Sequence, residues 1–347
     1  MTHGSLRAAS PRIGKIMVRT VNWLGDAVMS TPALERIRQN FPDAEIVLVA
    51  NPLVAQLFVD HPFCDRVLVF DKKGQHQGVG GFLKLSSQLR RERFDLAILL
   101  QNAIEAALLS VFALIPRRAG YRTDGRGLLL NYGVPAVDSK HGMHHVDYYL
   151  HMLTALGLAG DPAEPLLVVS GDERAWAATT LPGPRWLAVN PGAAYGSAKR
   201  WLPERFAAVA DQLVVKHGFQ VVLTGGPVEC EIGADIEKAM SCRPVNLIGQ
   251  TSVRQMMAVL DRCQLMITND SGPMHIAGAL GTPLVAVFGP TDHTTTSPRT
   301  AQCRIVRHAV ECAPCMLRQC PIDHRCMAGV TVDAVVAAAD DLLAKSS

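Results

Sequence analysis

Three segments of this 347-residue chain place polar side chains directly after an apolar, strand-like run and at the start of a helix-like one. The first, residues 20–26 (TVNWLGD), follows KIMVR and ends on Asp26. A carboxylate there is either a helix-start residue favoured by the positive end of the dipole or a general base held at a strand's carboxyl end. The second, residues 190–201 (NPGAAYGSAKRW), follows WLAVN. Asn190, Gly192 and Ala193 keep the loop small enough for backbone N–H groups to approach a diphosphate, and Lys199 and Arg200 add positive charge; the alternative is a surface loop anchored by Trp201. The third, residues 268–275 (TNDSGPMH), offers Asp270, Ser271 and Gly272 at a helix start with His275 one turn in. Alone, Asp270 or Ser271 could simply cap a helix. No G-x-G-x-x-G follows the first strand, so a nicotinamide-dependent dehydrogenase lacks its main support.

Two further clusters invite a metal reading. Cys312, Cys315, Cys320 and Cys326 follow a C-x2-C-x4-C-x5-C spacing that suits Zn²⁺ or an iron–sulfur cluster, although standard zinc modules set their knuckles further apart. Reduced structural thiols that hold a loop are the favoured expectation, with a structural metal as the alternative. His141, His144, His145 and His151 with Asp147 lie near or on one helix. H-E-x-x-H is absent, so a polar helix lining a cleft is the better reading.

The elements that must position these residues alternate. Strands are expected at 15–19, 45–50, 67–70, 95–100, 186–190, 220–223, 264–268 and 284–288, with helices at 26–39, 82–93, 104–114, 142–156, 173–179, 206–216, 228–240, 274–280 and 332–343. Apolar strands alternating with helices predict an α/β architecture of two doubly wound, Rossmann-like parallel sheets, whose ligands collect at the carboxyl ends of strands. A Gly-Asp-Pro-Ala-Glu-Pro stretch at 160–165 reads as a linker. The expected division is a tail at 1–12, domains at 13–165 and 166–330, and a C-terminal helix within 331–347.

Composition narrows the function classes. Hydrophobic residues make up 48% and charged residues 19%, enough apolar material for two cores and no basis for disorder. Aromatics at 5% and a formal charge of +3 argue against a nucleic-acid partner. Residues 1–160 carry 18 Lys and Arg against 13 Asp and Glu, whereas the remainder carries 16 against 18. The basic excess therefore lies in the first half, which could face an anionic partner. No leader pattern or membrane-length apolar run stands out, and the expectation is a cytoplasmic protein with reduced cysteines.

The chain resembles the glycosyltransferase family 9 heptosyltransferases of lipopolysaccharide inner-core synthesis, most closely their heptosyltransferase II branch. The resemblance runs from about residue 13 to 343 on WLGDAVMSTPAL, NPGAAYGSAKRW, TNDSGPMHIAGALGTPLVAVFGPT and CAPCMLRQCPIDHRCM. It implies a GT-B fold with an acceptor-binding N-terminal domain, a nucleotide-sugar-binding C-terminal domain, a central cleft, and a C-terminal helix that packs back on the N-terminal domain. It implies Asp26 as catalytic base, Lys199 on the donor diphosphate, Glu229 on the ribose, and Asp270, Ser271, Gly272 and His275 in the donor block. The implied reaction moves L-glycero-D-manno-heptose from ADP-heptose, with inversion, to heptosyl-Kdo2-lipid A, with no required cofactor. Arg117, Arg118 and Arg122 are the acceptor-side candidates, and peripheral contact with the inner membrane is expected of an enzyme acting on an anionic glycolipid. Another nucleotide sugar or core position, or a binding protein without turnover, remain alternatives.

Overall fold

The computed structural model describes residues 6, 13–137, 142–161 and 163–345. The chain divides into two units, Met1–Leu167 and Val168–Ser347. Of the expected 1–12 tail only Leu6 lies among the described residues; it is buried, and its N–H donates to the Leu156 carbonyl.

In the first unit, β1 (Lys15–Arg19), β2 (Glu45–Ala50), β3 (Arg66–Val69), β4 (Leu96–Leu99), β5 (Arg117–Tyr121) and β6 (Tyr132–Val134) form one sheet in the order β3-β2-β1-β4-β5-β6. Every pairing is parallel. In the second, β7 (Trp186–Asn190), β8 (Gln220–Leu223), β9 (Val245–Asn246), β10 (Leu265–Asn269), β11 (Leu284–Phe288) and β12 (Cys303–Arg307) follow the order β12-β11-β10-β7-β8-β9, again all parallel. Read from its first strand, each sheet has the doubly wound order in which the winding reverses between the first and fourth strands. The reversal falls between β1 and β4 in one unit and between β7 and β10 in the other. Helices cover both faces, so the strands β4, β7, β10 and β11 are buried throughout; β4 and β11 are wholly apolar, and β7 and β10 turn polar only at their carboxyl ends.

The helix expected at 26–39 is two helices, Leu24–Met29 and Thr31–Asn40, meeting at Ser30. Pro32 has no N–H for the Val28 carbonyl, and the Thr31 hydroxyl donates to that oxygen instead at 2.8 Å. The C-terminal helix, Val332–Lys345, packs on β11, β12 and the helix Pro203–His217. Its apolar face, Val335, Val336, Ala339 and Leu342, belongs to the second unit's core. Asp340 accepts from Lys216 Nζ at 2.5 Å and pairs with His217 Nε2 at 2.7 Å, fixing the helix from its polar side.

Candidate active site

In the first unit the strand β1 ends at Arg19, and a short turn leads into the helix Leu24–Met29, with Asp26 in its first turn. No side chain caps this helix, so its first-turn amides and the positive end of its dipole lie beside the carboxylate. His145, the first residue of the helix His145–Ala155, faces Asp26 with Nδ1 3.1 Å from Oδ1. A carboxylate oxygen accepts, so Nδ1–H is the donor in this contact. The two side chains are 28% and 34% exposed, open enough for a substrate hydroxyl to reach the carboxylate. Tyr149 lies buried nearby; burial, then the Asp26 charge, pushes its hydroxyl well above the ordinary range.

The histidine set therefore disperses. His144 caps its helix by accepting from the Val146 N–H, His145 faces Asp26, and His151 Nδ1 lies 2.9 Å from the Tyr121 hydroxyl. His141 is outside the described residues.

Two of the three acceptor-side candidates stand away from Asp26. Arg117 and Arg118 open β5, level with Leu96 and Ala97 at the start of β4, which is the amino edge of the sheet and not the Asp26 end. Their guanidinium groups serve backbone carbonyls: Arg117 that of Asp95, and Arg118 those of Leu129 and Ile115. Arg122 follows β5 and stays at the carboxyl edge. There the structure adds groups that sequence reasoning missed. Arg126 is fully buried and donates to Tyr121 O at 2.8 Å and Asn102 Oδ1 at 3.0 Å. Arg19, equally buried, donates to the Thr20 and Val49 carbonyls and to Asn22. Burial lowers both guanidinium groups to about 10.

The second unit gathers the remaining candidates at the carboxyl ends of β7, β8 and β10. Lys199 Nζ donates to Asp270 Oδ2 at 2.5 Å, and Thr291 Oγ1 donates to the same oxygen at 2.6 Å. Asn190, closing β7, donates to the Thr224 carbonyl beyond β8 at 2.8 Å. Asn269, closing β10, donates to Pro191 O at 2.7 Å and accepts from Trp201 N–H at 3.0 Å, which laces the 190–201 loop to the β10 end. Ser271 precedes the helix Gly272–Leu280 without capping it; its hydroxyl turns to Asn190 Oδ1 and Thr268 Oγ1 at 3.5 and 3.3 Å. The first-turn amides are thus left for an anion. His275 lies buried one turn in, and Ala193 is buried in the loop.

Glu229 is buried at the β8 end, where its Oε2 accepts from Gly226 N–H at 2.7 Å. Burial raises its carboxyl above the ordinary value, against the pull of that hydrogen bond and of Arg200. Gly192 makes the close approach feasible, because a Cβ there would stand 1.7 Å from Glu229 Oε1. Among the described residues no three His, Cys, Asp or Glu side chains stand together as a set able to hold a metal ion. That includes the four thiols of the C-terminal segment: Cys312 and Cys315 are exposed, whereas Cys326 is buried on the short helix Arg325–Ala328. Burial, aided by Cys312, Cys315 and Cys320, pushes the Cys326 thiol up.

The model of one family, described as glycosyltransferase family 9 (heptosyltransferase), matches residues 82–325. The chain belongs to glycosyltransferase family 9. Lipopolysaccharide heptosyltransferase 2 of Escherichia coli (strain K12) is 33% identical over 309 residues, covering 84% of this chain and 88% of that one. Lipooligosaccharide heptosyltransferase 2 of Campylobacter jejuni subsp. jejuni serotype O:2 is 28% identical over 344 residues, 96% and 99% of the two chains. Among solved structures, the E. coli ADP-heptose lps heptosyltransferase II superposes with a TM-score of 0.83 at 30% identity, covering 96% and 99%. The family 9 glycosyltransferase from Veillonella parvula DSM 2008 gives 0.87 at 25% identity, covering 97% and 99%. The protein is thus a glycosyltransferase, and its two Rossmann-like sheets are those of the GT-B fold. Both clusters stand where a sheet's winding reverses, the place at which ligands collect in doubly wound sheets. His145 was legible only as part of a polar helix, and Asn269 and Thr291 only as positions within a motif, since their partners lie far away in sequence or across a sheet.

Proposed function

We propose that this enzyme transfers L-glycero-D-manno-heptose from ADP-heptose to the heptosyl-Kdo2-lipid A inner core, with inversion at the anomeric carbon. In this reading the first unit binds the acceptor and the second the nucleotide sugar. The observation that carries it is the anion seat of the second unit, where an uncapped helix start stands beside the Lys199–Asp270 pair. The relatives named above, called heptosyltransferases, supply the sugar.

The chemistry is one displacement. An acceptor hydroxyl attacks the anomeric carbon, a C–O bond forms, and its proton passes to Asp26, which His145 holds with one oxygen occupied and the other facing the acceptor. The bond to the diphosphate breaks and ADP departs with the electron pair. Its growing negative charge meets Lys199 and the amides of Gly272, Met274 and His275; Pro273 has none to give. Glu229 accepts from the ribose hydroxyls, and Asn190, Gly192 and Ala193 shape the loop around the diphosphate. A lysine and a helix start at that place do what a divalent cation does elsewhere, so transfer proceeds without one. We place the enzyme in the cytoplasm, in peripheral contact with the inner membrane that carries its acceptor; among the described residues no helix is long and apolar enough to cross a membrane.

The test is a donor panel. ADP-heptose, UDP-sugars and GDP-sugars are offered with Kdo2-lipid A bearing one heptose, and the product linkage is determined. Transfer from ADP-heptose alone supports the reading, preferred use of another nucleotide sugar overturns the donor assignment, and tight ADP binding with no transfer overturns the activity.

A further inference from the structure

The cysteine-bearing segment between β12 and the C-terminal helix is built onto the loop that carries Lys199. The Tyr195 hydroxyl donates to Met316 O at 2.8 Å, Ala198 N–H donates to Arg318 O at 3.0 Å, and His324 Nε2–H reaches Ala198 O at 2.7 Å. The approach is close enough to require a glycine, since a Cβ on Gly196 would stand 2.1 Å from Arg318 O. Backbone contacts, rather than the thiols, therefore fix residue 318 against the loop.

The side chain of Arg318 is then held beside the same ring as Lys199. Lys199 Nζ lies 4.9 Å from the Tyr195 ring centroid and the Arg318 guanidinium carbon lies 5.3 Å from it. The two cations are at most the sum of those distances apart. Charge-assisted hydrogen bonds of about 2.8 Å from each, with the oxygens of a diphosphate between them, cover such a span. Their neutralisation differs. Lys199 is paired with Asp270, whereas Arg318, exposed, has no carboxylate partner among the described residues. Bringing a second positive charge next to the first is unfavourable unless something anionic joins them, and the ring offers only weak compensation to an exposed cation.

We propose that Arg318 is a second cation of the donor site, carried by the cysteine-rich segment, which engages the diphosphate of the nucleotide sugar together with Lys199. The proposal rests on reading the 190–201 loop as a diphosphate seat and adds a residue that the three strand-end motifs do not contain. The planar fork of arginine suits two phosphate oxygens at once, so a lysine at 318 keeps the charge and loses the geometry.

Binding of ADP, AMP and adenosine to the wild-type chain, Arg318→Gln and Arg318→Lys, measured by calorimetry at two salt concentrations, tests this. Arg318→Gln is expected to weaken ADP about tenfold, AMP less and adenosine not at all, and to lower the salt dependence of ADP binding; Arg318→Lys falls between. Adenosine binding reports that the variant site is intact. Unchanged ADP affinity, or equal losses for ADP and adenosine, overturns the proposal: the first shows that Arg318 does not engage phosphate, and the second that it only props the loop. If wild-type protein binds ADP no better than adenosine, the diphosphate seat itself is wrong and the proposal falls with it.

Discussion

Lys199 is paired with Asp270 at 2.5 Å, and their side chains are 13% and 5% exposed. Replacing Lys199 by Met leaves a buried carboxylate with only the Thr291 hydroxyl as side-chain donor. Stranding one partner of a buried pair costs roughly 3–5 kcal/mol, and the surviving hydrogen bond places this case near the lower end, about 3 kcal/mol. For a unit of this size that is a fall of roughly 6–12 °C in the melting temperature. The same change removes a cation from the departing diphosphate and should lower kcat by roughly 10²–10³. The double variant Lys199→Met/Asp270→Asn separates the two effects. With no stranded charge its melting temperature should return to within about 3 °C of wild type, while kcat stays as low as in the single variant. Scanning calorimetry and a transfer assay on the same samples read both. An unshifted melting temperature in the single variant refutes the pairing argument, and restored turnover in the double variant refutes the role of Lys199 in leaving-group departure.

His145→Ala should lower kcat about ten- to a hundredfold with little change in donor KM, because the base loses its orientation. His145→Asn, whose amide nitrogen can stand in for Nδ1, should recover part of that loss; equal defects in both would remove the positioning role. The raised Glu229 carboxyl predicts an acid limb in donor binding. Its ionised form, the one that accepts from ribose, is lost as pH falls through a value above the usual ~4.3, so ADP affinity should decline on acidification and Glu229→Gln should flatten the decline. For stability the sign is opposite: the folded state holds this proton more tightly than the unfolded one, so ionisation at higher pH is destabilising. ADP titrations across about pH 5 to 8 check the limb, and an unaltered slope in Glu229→Gln contradicts it. Arg118→Ala strands the Leu129 and Ile115 carbonyls and should destabilise the first unit by about 1–2 kcal/mol with acceptor KM unchanged. A raised acceptor KM at full stability would return Arg118 to the acceptor site.

The strands that sequence reading placed correctly, β1, β2, β7, β8 and β11, carry at least three consecutive apolar residues with polar ones only at their ends, as burial on both faces demands. Those it missed, β5, β6, β9 and β12, lie toward or at the sheet edges and carry polar residues or glycine. Arg117 and Arg118 show the consequence: with β5 unseen, two arginines that open a strand and bind nearby carbonyls looked like a loose basic cluster. Charge count could not say which end of the sheet they occupy, and the end decides whether they can meet substrate. The strand-end motifs were legible because small residues, a carboxylate and a helix start follow one another within a few positions. The Asp26–His145 contact was not, since its members are 119 residues apart. The partners of the C-terminal helix were not legible either: its apolar stripe shows that it packs, but Lys216 and His217, which pair with Asp340, lie more than 120 residues away.

The central claim is that Asp26 activates an acceptor hydroxyl for attack on ADP-heptose. Its most direct test is single-turnover transfer by Asp26→Asn, a change that keeps the shape of the side chain and removes its basicity. Turnover should fall by roughly two orders of magnitude or more while ADP-heptose binding is retained. Near-normal transfer by the variant would contradict the claim.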